Sequence, residues 1–194
     1  MANKIVLDLE TQKDFSEVGG RSGYKNLRVS LCGIYSYTEG NYLCFSEKEL
    51  TKLGEMLQVA DQVIGYNIKQ FDYEVLQPYL NFPLATIPTL DILEIVDQAL
   101  GHRISLEVVA QATLGVGKTG TGRAAIDLWK SGRLEELKSY CMNDVKLTRD
   151  LYEYALVHRE LKYRDRVGAV VSVPVDILPP ETVKPLGLNL TMGF

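Results

Sequence analysis

Few cysteines, few histidines, no long apolar run and no surplus of positive charge bound what this 194-residue chain can be. Cys32, Cys44 and Cys141 are odd in number and form no Cys-x-x-Cys pair, which argues against a disulfide framework and against a structural zinc site. A reducing compartment, the cytoplasm, is the expected setting. No stretch is long and apolar enough to span a bilayer, so no membrane partner is expected. Met1 to Lys4 lead straight into a short apolar strand with no secretory pattern. Low-complexity tracts and internal repeats are missing as well. Lys and Arg number 21 against 25 Asp and Glu, and the formal net charge of −4 does not advertise a broad duplex-binding surface.

What is present is the composition of an ordinary globular domain, 46% hydrophobic and 24% charged, in a chain long enough for one sizeable core. Residues 4 to 8 read as a strand, and Gly19, Gly20 and Gly23 mark a connection able to shape the entrance of a site. Leu27 to Tyr37 and Asn41 to Phe45 read as a hairpin. Ser46 followed by Glu49 forms a capping-box pattern ahead of an amphipathic helix. Gln62 to Tyr66 predicts a buried strand, Phe71 to Leu80 a helix, Ile87 to Leu90 a strand, and Asp91 the start of another helix. Ser105 opens a helix ending near Gly115, and Leu134 to His158 a long one. Strands paired first by a hairpin and then alternating with helices predict an α/β fold, a mixed sheet flanked by helices. Residues 1–160 form the expected domain. Residues 161–194, with Pro174, Pro179, Pro180 and Pro185, read as a short hairpin or edge strand and then an irregular tail.

Four acidic residues in three separated segments carry the chemistry. Asp8 and Glu10 have the spacing that puts both side chains on one face of a strand. Asp72 lies in GYNIKQFDYEVL. Asp144 follows Tyr140 by four residues on the long helix, so the phenol and the carboxylate share a helical face. Carboxylates crowded together repel one another and are expensive to bury, so a cluster of this kind calls for a divalent cation. Hard oxygen donors select Mg²⁺ or Mn²⁺.

These segments resemble the three motifs of the DEDD superfamily of 3′→5′ exonucleases. Asp8 and Glu10 match the first motif, and Asn67, Phe71 and Asp72 match the second in wording similar to family-B polymerase proofreading domains. In the third, Tyr140 stands four residues before Asp144, and Ser139 stands where the other branch carries His, so the chain looks like the tyrosine branch. The segment from Ser105 to Cys141 resembles stand-alone or helicase-associated RNase H-like exonucleases of prokaryotes. The resemblance spans roughly residues 3 to 157 and implies an RNase H-like fold. It also implies two divalent cations, held by Asp8, Glu10, Asp72 and Asp144, with Tyr140 orienting the attacking water. The implied substrate is nucleic acid with a free 3′ end, single-stranded DNA first, with RNA open. A helicase or polymerase is the partner class it suggests, and the alternative function is a nucleic-acid-binding module that does not cut.

Other residues have two readings at this level. Phe71 or Tyr73 could stack on a terminal base, or Phe71 could be core. Asn67 could bond a sugar or phosphate, or close the turn after its strand. Thr11 could contact the terminal nucleotide or serve a turn. Leu114 to Thr119 ends like a P-loop, but the place that needs glycine is Ala112 in a helical pattern, which excludes nucleotide triphosphatase chemistry. Lys118 and Arg123, in this glycine-rich loop, are candidates for substrate phosphates. His102 and His158 fall outside all three motifs.

Overall fold

In the computed structural model, which describes residues 2–116 and 122–177, the sheet forms around β1 (Lys4–Thr11). Along β1, side chains alternate between faces. Ile5, Leu7 and Leu9 enter one apolar cluster, whereas Val6 enters the cluster on the opposite face. Asp8 and Glu10 share the Val6 side by register. A strand buried on both sides needs cover on both sides, and the chain supplies it with helices.

β2 (Val29–Ser36) pairs antiparallel with β1 and with β3 (Asn41–Ser46). The Ser46 N–H donates to the Glu49 carboxylate at 2.9 Å, and a short 3₁₀ turn then leads into α1 (Leu50–Gln58). β4 (Gln62–Gly65) lies parallel to β1, but the pairing reaches only from Lys4 to Val6. α2 (Asp72–Leu76) follows, and β5 (Thr89–Asp91) completes the sheet parallel to β4, in the order β3-β2-β1-β4-β5. α1 and α2 cover the Leu7 face through Leu53, Leu57, Val75 and Leu76.

The opposite face is covered by α3 (Ile92–Leu100), α4 (Leu106–Leu114) and α6 (Leu134–His158). Val145, Leu151 and Tyr152 of α6 are fully buried there. Each such aliphatic contributes about 1.5–3 kcal/mol by leaving water. α6 runs its expected span, and at 1.5 Å per residue it extends roughly 37 Å. The segment from Gly122, expected to continue the glycine-rich loop, is helical: α5 (Gly122–Lys130) packs through Ala125, Leu128 and Trp129 against Leu137 and Tyr140 of α6. β1 also runs three residues beyond the expected strand, because β2 pairs with it as far as Val29.

β6 (Glu160–Arg164) and β7 (Val170–Pro174) pair as an antiparallel hairpin in the region read as a hairpin or edge strand. Leu161, Val173, Val175 and Ile177 join the same apolar cluster as Ile92 and Val109, so the hairpin packs on the domain. The irregular tail expected further on lies outside the described residues. Among the described residues no helix is long and apolar enough to cross a membrane.

Candidate metal centre and its cleft

Asp8, Glu10 and Asp144 each present a carboxylate oxygen, and these oxygens all lie within 4.8 Å of one another. Two come from one strand and the third from a helix 134 positions further on, so the convergence is tertiary. Gly33 makes it possible. It is the β2 residue opposite Asp8, and a Cβ there would stand 2.4 Å from the Met142 side chain and 2.9 Å from that of Val145. A side chain at this point would displace Met142 and press on Val145, and glycine lets the helix close on the sheet next to the acidic strand. The register irregularity between Glu10 and Thr11 then ends the regular ladder just after the acidic pair.

Asp72 arrives from the other side of β1. β4 has already left β1 by Val6, and the Leu9 N–H donates to the Asp72 Oδ1 at 3.0 Å. The carboxylate thus finishes the edge that β4 abandons. Asp72 and Asp144 are 3% and 1% exposed, so two of these charges are almost wholly withdrawn from water.

The acidic groups line one cleft of about 590 Å³, a volume suited to a small-molecule-sized ligand. Lys13, Phe15 and Ser16 form one part of its wall, and Arg123 and Ile126 of α5 form another. Lys130 reaches from the end of α5 to Glu17 at 2.8 Å, tying these two walls together. Glu17 belongs to a short 3₁₀ turn capped by Asp14, whose Oδ1 accepts from the Ser16 N–H at 2.7 Å. The Lys130 ammonium holds the Glu17 carboxyl below its ordinary range.

The negative field of the cluster reaches the neighbouring thiols. Burial pushes Cys141 well above the ordinary thiol value, and the Asp8 and Glu10 charges push it further. Cys32 is raised the same way, by burial first and then by Asp72 and Asp8. Both remain protonated and inert.

The other candidate residues fall into separate places. Thr11 lines the cleft, and its hydroxyl donates to the Lys13 carbonyl at 2.8 Å. Phe71 lines it too, and its ring meets Phe15 edge-on at 6.1 Å between centroids. Tyr73 turns away, its hydroxyl 2.8 Å from the Thr89 hydroxyl and its pKa pushed up to about 12 by burial. Tyr140 is 5% exposed and sits one turn from Asp144, in the small cluster with Ala125 and Leu137. Asn67 is not among the residues lining this cleft. Its side-chain oxygen accepts from Arg103, and its N–H donates to Asp91 at 2.7 Å. Its φ of +64° lies in the left-handed region that asparagine tolerates better than most residues. Lys118 falls outside the described residues.

Phe15, Lys13 and Tyr66 line the cleft without having been singled out in the sequence. The signal available for Phe15 was its position between the acidic strand and the glycines that shape the entrance. For α5 it was the apolar spacing of Ala125, Ile126 and Trp129.

Comparison with protein families matches residues 7–156 to RNase_H_2, described as RNase_H superfamily. A search of curated proteins found no match. The matched span runs from the acidic strand to α6 and contains all four acidic residues. A domain of this superfamily points to a nuclease acting on nucleic acid with the help of divalent metal ions.

Proposed function

The chain belongs to the RNase H superfamily, and from that premise we propose that it is a metal-dependent 3′→5′ exonuclease of the tyrosine branch, acting first on single-stranded DNA. The observation that carries this reading is the meeting of Asp8, Glu10 and Asp144 within 4.8 Å.

The donor set fits the cations. All the donors are hard carboxylate oxygens, and three sit closely enough to share an ion. Asp8, Glu10 and Asp144 would hold one Mg²⁺ or Mn²⁺, with Asp8 and Asp72 supporting a second. When bound, the ions supply positive charge that offsets the charge growing on the phosphate in the transition state.

The rest falls to this chain's own residues. Phe71 and Phe15 give the terminal base an apolar edge, and Arg123 and Lys13 offer positive charge to the terminal phosphates. Thr11 contacts the terminal nucleotide through the backbone, since its hydroxyl is already engaged. Tyr140 positions the attacking water from the turn beside Asp144. Its unperturbed relatives ionise near pH 10, so its role is orientation and not proton abstraction. Asn67 acts at a distance by holding Arg103. In the reaction, the water oxygen bonds to phosphorus, the bond from phosphorus to the 3′ oxygen breaks, and that oxygen takes up a proton. The products are a nucleoside 5′-monophosphate and a strand one nucleotide shorter. The reading carries with it a cytoplasmic setting, a helicase or polymerase partner, and residues 1–160 as the catalytic unit.

Digestion of 5′-labelled and 3′-labelled single strands with Mg²⁺ or Mn²⁺ tests it. The expected result is a ladder shortening from the 3′ end, lost in Asp8→Ala and Asp144→Ala. Internal cuts would replace this reading with an endonuclease, and binding without cleavage would replace it with a non-cutting module.

A further inference from the structure

A second groove of about 620 Å³ lies where the turn of the β6–β7 hairpin faces the start of α4. Arg103, Arg164 and Arg166 line it, together with His102 and Tyr163. Its acidic lining residue, Asp165, is occupied within the hairpin turn, where its Oδ1 accepts from the N–H groups of Val167 and Ala169 at 3.0 and 2.9 Å. In a chain whose net charge is −4, three guanidinium groups around one groove are a local reversal of sign.

The groove shares a wall with the acidic cleft. Tyr66 lines the cleft, and its hydroxyl donates at 2.7 Å to the carbonyl of Ile104, which lines the groove. Arg103 is braced on the same side by Gln70, at 2.6 Å, and by Asn67. Arg164 and Arg166 are exposed at the hairpin end, Arg164 steadied by the Gly168 carbonyl at 3.1 Å. Tyr163 adds a half-buried ring, met edge-on by His102 at 6.3 Å. Guanidinium groups interleaved with an aromatic ring suit a strand that offers both phosphates and base faces, better than they suit a merely acidic peptide.

We propose that this groove on the C-terminal hairpin binds the phosphodiester backbone of the single strand whose 3′ end enters the acidic cleft, holding nucleotides several positions 5′ of the one removed. The proposal rests on the exonuclease reading for the strand's direction, but the groove's affinity does not require cleavage.

The test is fluorescence anisotropy of a labelled 20-nucleotide single strand with the full chain in EDTA, where no cleavage occurs. Arg164→Gln/Arg166→Gln should weaken binding about tenfold and lower the slope of log affinity against log salt by about 1.4, the share of two single-strand phosphates. Arg166→Glu, which leaves the turn's bond to Gly168 intact, should weaken binding about fivefold with an unchanged melting temperature. With Mg²⁺ the double variant should show a raised KM on the 20-mer and unchanged turnover of a dinucleotide too short to reach the hairpin. Equal affinity of wild type and variants, or equal displacement of the strand by polyglutamate, overturns the proposal. Weakened binding together with no cleavage by the wild type would keep the groove and remove the exonuclease reading.

Discussion

Asp91, at the end of one strand of the sheet, and the cluster of Asp8 and Glu10 from β1 with Asp144 from α6 both draw carboxylates toward the interior, yet their neighbours differ. Asp91, 3% exposed at the end of β5, accepts three backbone N–H bonds: from Asn67 at 2.7 Å, from Leu93 at 3.0 Å and from Lys69 at 3.1 Å. By accepting them the carboxylate caps α3 and pins the turn after β4, so it is held by the fold and in turn holds it. The cluster sets carboxylates against one another beside an open cleft. A buried acid supplied with amide hydrogens is architecture; acids brought within 4.8 Å of one another repel, and a cation relieves that repulsion. The pair teaches that burial of an acid alone does not mark a reactive site, whereas the chemistry of its neighbours does.

The comparison breaks most visibly at Asp8. Asp8→Asn keeps the shape and removes one charge, and nuclease turnover should fall by about 10³-fold. In EDTA the same variant should melt about 2–4 °C higher, through relief of repulsion worth about 1 kcal/mol. Scanning calorimetry beside a steady-state assay reads both, and a lower melting temperature in EDTA would refute the stored repulsion. Asp91→Ala should do the reverse, costing about 3 kcal/mol in urea titrations by stranding three amide hydrogens and a helix cap. Its turnover per folded molecule, measured at low temperature, should stay near that of the wild type.

Cations sharpen the contrast further. Mg²⁺ or Mn²⁺ at 100 times its dissociation constant should stabilise the wild type and Asp91→Ala alike by about 2.7 kcal/mol. Asp8→Asn should lose most of that gain in thermal melts.

The smallest effect is in pH. Burial raises the Asp91 carboxyl above its ordinary 3.8, against the lowering pull of its backbone bonds. A raised acid favours the fold most below its ordinary value, and that contribution declines as pH rises through the folded value. The stability gap between wild type and Asp91→Ala should therefore be widest near pH 3 and narrow toward neutrality. Urea melts across that range would expose a gap that widens instead.

Much of this was legible in the sequence because the signals were local. The span of α6 follows from unbroken helical periodicity between Leu134 and His158, and α4 from Ser105 at one end and Gly115 at the other. The strand face of Asp8 and Glu10 needs only a period of two. What periodicity does not carry is the approach of one element to another. Nothing local in Gly33 announces that α6 presses on it, and nothing in Asp72 announces a bond to Leu9. α5 was hidden by the glycines before it, although its apolar spacing was present. Which of Phe71 and Tyr73 lines the cleft depended on how the chain enters α2; Phe71 lines it, while the Tyr73 hydroxyl meets Thr89.

The bond between Asp72 and Leu9 has a practical consequence for anyone ranking the acidic residues by mutation. One carboxylate serves both as a fastener in the backbone and as part of the cleft, so truncating it unbuttons the sheet edge at the same time as it removes a charge. An alanine scan would therefore report a structural loss at Asp72 together with any loss of activity. Asparagine at that position keeps an oxygen for the Leu9 hydrogen, and the difference between the two substitutions is the worth of the fastener.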